Sequence, residues 1–239
     1  MPRLDVLLAR NLGASRTAAR ALIASGRVQA AGGAPPDARA EIDAAALPLD
    51  LLLDGAPLQL HDRADLMLHK PVGCVTALRD DRHPTAYALL RGAPLFSELR
   101  PVGRLDLDTS GLLLWTTDGA WLQRLTHPRR ALPRTYQAAL ARPFRAAVAD
   151  LTLEDGHRPD VETLEELSPA DAHPALAAPA GTALLATITI RGGAYHEVRR
   201  IFAALGSHVL ALCRVRFGRL SLPPDLAAGA HRAIAPDDV

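Results

Sequence analysis

Gly103-Arg104-Leu105-Asp106-Leu107-Asp108-Thr109-Ser110-Gly111-Leu112-Leu113-Leu114-Trp115-Thr116-Thr117-Asp118-Gly119 is the stretch whose reading decides this fold. Three acidic side chains and an arginine surround a short turn that runs straight into an apolar strand. A carboxylate set where a polar turn meets a core strand is held rigidly and partly desolvated. That setting turns an aspartate from a solvated surface charge into a nucleophile or base. Any one of these aspartates alone reads as turn chemistry, because Asp bonds its own backbone and tolerates tight geometry. The whole string is too long for that reading: Gly-Arg-Leu-Asp, Thr-x-Gly, four apolar residues, then Thr-x-Asp-Gly.

Around this string the chain has 239 residues, 49% of them hydrophobic, enough for one large domain or a small plus a medium one. No apolar run reaches the roughly 18 residues that a membrane-spanning helix needs. Arg3, Asp5 and Arg10 interrupt the N-terminus, so a secretory signal is not expected. The two cysteines, Cys74 and Cys213, spell neither a disulfide framework nor a metal cluster, and a reducing cytoplasm is the expected setting. The net charge of +1 is uninformative, but its distribution is not. Residues 1–40 carry six arginines against two aspartates, 41–66 carry six acids against one arginine, and 189–220 carry six arginines against one glutamate. Two separated basic patches are what RNA binding requires. Lys70 is the one lysine, and the Arg-for-Lys bias reads as GC-rich coding.

At the N-terminus, Leu4, Leu7 and Leu8 fall at i, i+3, i+4, with Gly13 as a stop. Ser15 is a good N-cap for a second helix with Ala19, Leu22 and Ile23 on its apolar face, closed by Gly26. Arg16 and Arg20 share one face of that helix, and Arg27 extends the stripe. Strand-like pieces follow at 51–53 and 58–60, and the polar residues 61–65 read as a linker. Leu66-Met67-Leu68-His69-Lys70-Pro71-Val72-Gly73 reads as a strand stopped by Pro and Gly. Residues 168–181 are rich in Ala and Pro and read as a mobile hairpin tip or loop. Thr187-Ile188-Thr189-Ile190 alternates as a strand, and Gly192-Gly193 turns the chain. Val198, Ile201, Phe202 and Leu205 then mark a helix stopped by Gly206, and strand-like pieces at 210–218 and 220–222 follow.

The opening string resembles the signature of the pseudouridine synthases, in the branch that modifies ribosomal RNA and carries an N-terminal S4 domain. Three further motifs fit. Arg3-Leu4-Asp5, Ser15-Arg16 and Ile23-x-x-Gly26-Arg27-Val28 resemble the S4 RNA-binding domain, although Ala31-Gly32-Gly33 stands where an Asn-Gly turn is usual. His69-Lys70-Pro71-Val72-Gly73 resembles the family's Asn-Lys-Pro-x-Gly opening, with His69 for Asn. Tyr195-His196-Glu197-Val198-Arg199-Arg200 resembles its His-Gln-(Val/Ile)-(Arg/Lys) motif, with Glu197 for Gln. The resemblance implies an α+β protein: an S4-like RNA-binding domain over 1–60, a linker at 61–65, and a catalytic domain over 66–239. That second domain is expected to hold a mixed, mostly antiparallel sheet flanked by helices.

Pseudouridylation breaks the bond between N1 of uracil and C1′ of ribose, turns the base and rejoins it through C5. Nothing is imported, so no cofactor and no metal are expected, and the sequence has no P-loop, GxGxxG or Cys/His ligand cluster. The resemblance assigns the reactive carboxylate to Asp106 and leaves Asp108 to the turn. Burial against apolar strands raises a carboxylate's pKa, and the resemblance makes Arg199 the cation that counters it. Tyr136, in Arg134-Thr135-Tyr136, matches a basic-x-Tyr motif whose ring packs under the uracil. Arg104 is placed to fill the space left by an extruded uridine. RNA contacts are expected from Arg3, Arg16, Arg20 and Arg27 in the first domain and from Lys70, Arg104, His196 and Arg200 in the second.

Within the family, the run 194–209 looks most like the small-subunit (16S) enzymes, since large-subunit relatives more often carry Asn-Arg where Tyr195-His196 stand. The expected partner is ribosomal RNA, within a small-subunit assembly intermediate, acted on by a monomer with no membrane association. The same chemistry on 23S rRNA is the alternative. A non-catalytic assembly factor ranks below both, because Asp106, Tyr136 and Arg199 are all present.

Overall fold

The computed structural model describes residues 1–30, 36–145 and 151–239, so the expected turn at 31–33 lies outside the described residues. The chain divides into two compact units. The first is Met1–Ala64 with Leu90–Arg100 and Thr116–Asp118, and the second is Asp65–Leu89, Pro101–Trp115 and Gly119–Val239.

In the first unit, α1 (Leu4–Leu12) and α2 (Arg16–Ala24) form where the apolar spacing places them. Gly13 ends α1 in the left-handed conformation at φ 61°, and the Ser15 hydroxyl accepts from Ala18 N to cap α2. A small antiparallel sheet follows in the order β1 (Val28–Gln29), β2 (Leu49–Leu53), β3 (Ala56–Leu60). Leu4, Leu7, Leu8, Ala19, Ile23, Val28, Leu51 and Leu60 close the core between helices and sheet. Residues 61–64 are tied to this unit. Asn11 bonds the His61 backbone in both directions, and Arg10 reaches both Asp62 and Glu98. Arg63 pairs with Asp118, and Ala64 N donates to Thr117 Oγ1. The segment read as a linker is therefore divided, and Asp65 already belongs to a strand.

The second unit is built on one nine-stranded sheet. Its strands are β4 (Asp65–Lys70), β5 (Arg100–Val102), β6 (Thr109–Thr116), β7 (Arg134–Leu140), β8 (Val161–Glu166), β9 (Leu184–Ile190), β10 (Val209–Phe217), β11 (Leu220–Ser221) and β12 (His231–Ala233). The order is β12-β4-β6-β10-β7-β9-β8, with β11 beside β10 and β5 beside β6. The β6–β10 pair is parallel, whereas β10–β7, β7–β9, β8–β9, β10–β11 and β12–β4 are antiparallel. The sheet is mixed and mostly antiparallel, as expected. Helices α3 (Gly119–Thr126) and α4 (Glu197–Ala204) accompany it.

The unbroken apolar run of β6 follows from its place inside the sheet. Leu112, Leu113, Leu114 and Trp115 are all fully buried, and a strand covered on both faces needs no polar alternation. Gly111 makes the parallel contact possible. It sits at φ 112° opposite Arg214, and a Cβ there would stand 2.3 Å from the Arg214 carbonyl oxygen. Residues 168–181 are not a free hairpin tip. Leu176 is buried in the main core, Gln137 accepts from His173 N at 2.7 Å, and His173 Nε2 meets Leu222 O at 3.0 Å. One buried leucine and one histidine pin a stretch whose composition alone reads as loop.

Gly111→Ala should cost more than about 2 kcal/mol, because the methyl group meets backbone that cannot swing aside. Chemical denaturation measures it, and a variant with an unchanged midpoint would show that β6 and β10 are not packed this closely.

Candidate active site

The turn before β6 is fixed from below by Lys70. This side chain is fully buried at the end of β4, and its ammonium donates to three backbone carbonyls: Pro71 at 3.0 Å, Asp106 at 2.9 Å and Thr109 at 2.8 Å. Burial pulls its pKa below the usual lysine value, while the thiol of Cys74 and the carboxylates of Asp106 and Asp108 act the other way. Lys70 is thus no RNA contact, contrary to expectation. All three of its donors are spent on the chain itself. The other side of the turn is held by Thr76, whose hydroxyl donates to Leu105 O at 2.9 Å and accepts from Leu105 N at 3.1 Å. Asp106 O also accepts from Thr109 N, closing the turn.

Above this anchored backbone the Asp106 side chain enters a cavity of about 400 Å³. Arg104, Arg134, Tyr136, His196, Arg199 and Arg214 are among its lining residues. The carboxylate differs from expectation in two respects. Its side chain is 35% exposed, and its nearest basic neighbour is the His196 imidazole, with Nε2 at 3.6 Å from Oδ1. Arg199 pairs instead with Asp108, Nη2 to Oδ2 at 2.9 Å, and donates from Nη1 to Val209 O at 3.1 Å. Asp108 is the outer carboxylate of the turn, and the long guanidinium at the start of α4 reaches it first. Tyr136 is buried on β7, directly beside Ile188 on β9 and Arg214 on β10.

Sequence reasoning missed the most buried cation of the cavity. Arg214 is 1% exposed on β10, donates from Nε to Leu112 O at 2.7 Å, and keeps its buried Nη2 without a protein partner. Its guanidinium lies 5.4 Å from the Phe217 ring centroid, and that of Arg134 lies 5.3 Å from the same ring. Burial pulls the Arg134 pKa down, Tyr136 and Glu197 raise it, and Arg214 lowers it further. The available signal is a lone arginine inside the apolar run Leu210-Ala211-Leu212-Cys213-Arg214-Val215, within the basic stretch 189–220. Glu197, in place of Gln, is buried. It bonds His157 Nε2 at 2.7 Å and accepts from Ala194 N at 3.0 Å. Gly192 leaves the room, since a Cβ there would fall 2.4 Å from that carboxylate.

The remaining sequence-predicted residues are placed as follows. Arg104 is exposed at the cavity. Arg200 pairs with Asp155 and donates to Tyr195 O at 3.4 Å. In the first unit, Arg3, Arg16 and Arg20 converge on the fully buried Asp5, the last at 2.6 Å. Burial works to raise the Asp5 carboxyl, but the Arg20 hydrogen bond and the three guanidinium charges hold it below the usual value. The cluster keeps one carboxylate for three cations. Arg27 pairs with Asp54 at 2.7 Å.

The family model described as RNA pseudouridylate synthase matches residues 66–204. "Ribosomal small subunit pseudouridine synthase A" of Escherichia coli (strain K12) is 36% identical over 251 residues, covering 99% of this chain and 98% of its own. The protein of the same name from Pasteurella multocida (strain Pm70) is 32% identical, with 99% and 97% covered. A solved structure titled "Crystal structure of pseudouridylate synthase" superposes with a TM-score of 0.61 at 30% identity, over 100% of this chain and 98% of that one. With a family model matched over 66–204 and full-length relatives above 30% identity, this chain, which carries an aspartate turn, a buried tyrosine and a basic cavity on a mixed sheet, belongs to the RNA pseudouridylate synthase family.

Proposed function

We propose that this protein isomerises one uridine of small-subunit ribosomal RNA to pseudouridine, with Asp106 as the reactive carboxylate. The observation that carries this is the Asp106 turn: its backbone is fixed by Lys70 and Thr76 while its side chain, with His196 Nε2 3.6 Å away, is presented to a cavity of about 400 Å³. Cavities of roughly 300–1,000 Å³ accommodate ligands of nucleoside size and above. Full-length similarity to the small-subunit enzymes named above supports 16S rRNA as the substrate over 23S.

In this reading the target uridine leaves its stack and enters the cavity, where the Tyr136 ring packs against the base. Asp106 engages the ribose as the N1–C1′ bond breaks. The detached base turns, C5 bonds to C1′, the hydrogen on C5 departs and N1 gains one, so the product is an isomer of the substrate. His196 lies beside the carboxylate and Arg199 buttresses the turn through Asp108. Arg104 occupies the vacated space in the RNA. Arg134 and Arg214 give the cavity wall a positive character suited to the phosphate backbone and to charge developing on the departing base.

The first unit acts as an S4-like RNA-binding module, supported by the exposed side chains of Arg16, Arg20 and Arg27 and the half-buried Arg3. The protein works as a monomer on a small-subunit assembly intermediate in the cytoplasm. Cys74 and Cys213 are free and buried, with Cys213 pushed up to about 11 by burial, as suits a reducing compartment. No helix among the described residues is long and apolar enough to cross a membrane.

Asp106→Asn keeps the shape and removes the reactive oxygen. Pseudouridine formation in purified small-subunit RNA should fall by roughly 10²–10⁴-fold, with the thermal midpoint and RNA affinity nearly unchanged. Retained turnover would refute the assignment. Replacing Arg16 and Arg20 together with Ala should weaken RNA binding and flatten its salt dependence by about one unit of log–log slope per lost phosphate contact. An unaltered slope in a salt titration would mean that this helix does not touch phosphate.

A further inference from the structure

Tyr195 at the mouth of the cavity is an aromatic side chain that the fold does not use. It is 76% exposed, the most exposed large apolar residue among those described. Its ring stacks on that of His196, with centroids 3.8 Å apart and planes inclined by 17°. The next polar group inward from His196 is the Asp106 carboxylate, 3.6 Å from Nε2. The platform is held in place from its backbone. His196 has left-handed φ 48° and ψ 32°, a conformation that costs energy in any residue but glycine. Ala194 N is bonded to the buried Glu197 carboxylate, and Tyr195 O accepts from Arg200. One face of the Tyr195 ring is therefore covered by imidazole and the other is offered to solvent, at a cavity that the exposed Arg104 also lines.

We propose that the open face of Tyr195 is a stacking subsite for the nucleobase next to the target uridine. The inference rests on the pseudouridine synthase reading of the cavity. Extruding one base strips its neighbour of a stacking partner. An aromatic ring at the entrance restores that contact and accepts any base, because every base offers a π-face. The subsite thus selects for an unstacked RNA segment rather than for a sequence, and it holds the neighbour while the uridine reaches Asp106.

The test uses the full chain and a small-subunit RNA fragment that the wild-type protein modifies, tritiated at uridine C5 so that product formation releases label. Tyr195→Ala should raise KM and lower kcat/KM by roughly 10- to 100-fold, with the thermal midpoint unchanged. Tyr195→Phe, which keeps the ring, should rescue it. With 2-aminopurine placed beside the modified uridine, the complexes with wild type and Tyr195→Phe should be quenched relative to the complex with Tyr195→Ala. A Tyr195→Ala enzyme with unaltered kcat/KM, or one whose loss lies in kcat alone with quenching retained, would overturn the proposal, the latter by showing that Tyr195 only props His196. Absence of label release by the wild-type protein from every ribosomal fragment would overturn the functional reading instead.

Discussion

A single buried ammonium anchors the turn that presents Asp106 to the cavity. Lys70 reaches from the end of β4 to carbonyls of Asp106 and Thr109, 36 and 39 residues away in the chain, and to its own neighbour Pro71. Burying a cation is costly unless its donors are satisfied, and here three carbonyl oxygens satisfy it. None of the three is a carboxylate oxygen. The turn is thereby anchored through its backbone while the Asp106 side chain is left unencumbered for a ligand. A lysine paired directly to that carboxylate would have fixed the wrong end of the residue.

The rest of the second unit is arranged around this anchor. Gly111 lets β10 close on β6, which brings Arg214 under the cavity and aligns it with Tyr136 on β7. Phe217 lies against both Arg214 and Arg134, giving the two guanidinium groups one aromatic ring in common. On the α4 side, buried Glu197 ties the loop after β9 to His157 and fixes the start of the helix, from which Arg199 braces Asp108. The cavity is therefore assembled by contacts between elements far apart in sequence, each with little slack.

Local chemistry was legible in the sequence and long-range pairing was not. The turn at Asp106 and the buried run of β6 announce themselves through a polar cluster followed by uninterrupted apolar residues. Both N-terminal helices are bounded by the Ser15 cap and by Gly13 and Gly26, which their φ values of 61° and 73° require. What Lys70 and Arg199 bond to depends on which strands lie side by side, and no local pattern encodes that. A basic residue in a motif reads as an RNA contact even where, as at Lys70, its charge faces inward. Arg214 illustrates the same blindness in reverse: counted among basic residues, it lies almost wholly out of solvent. Residues 168–181 misled through composition, since a run of Ala and Pro hides the one leucine that anchors it.

The most direct test of the account is the turnover of Lys70→Met at saturating ribosomal RNA, measured below the variant's own thermal midpoint. If the ammonium positions the Asp106 turn, kcat falls by roughly 100-fold, the cost of a misplacement of about 1 Å, while RNA affinity stays near that of wild type. A folded Lys70→Met protein with wild-type kcat would contradict the claim that this buried cation holds the Asp106 turn in place.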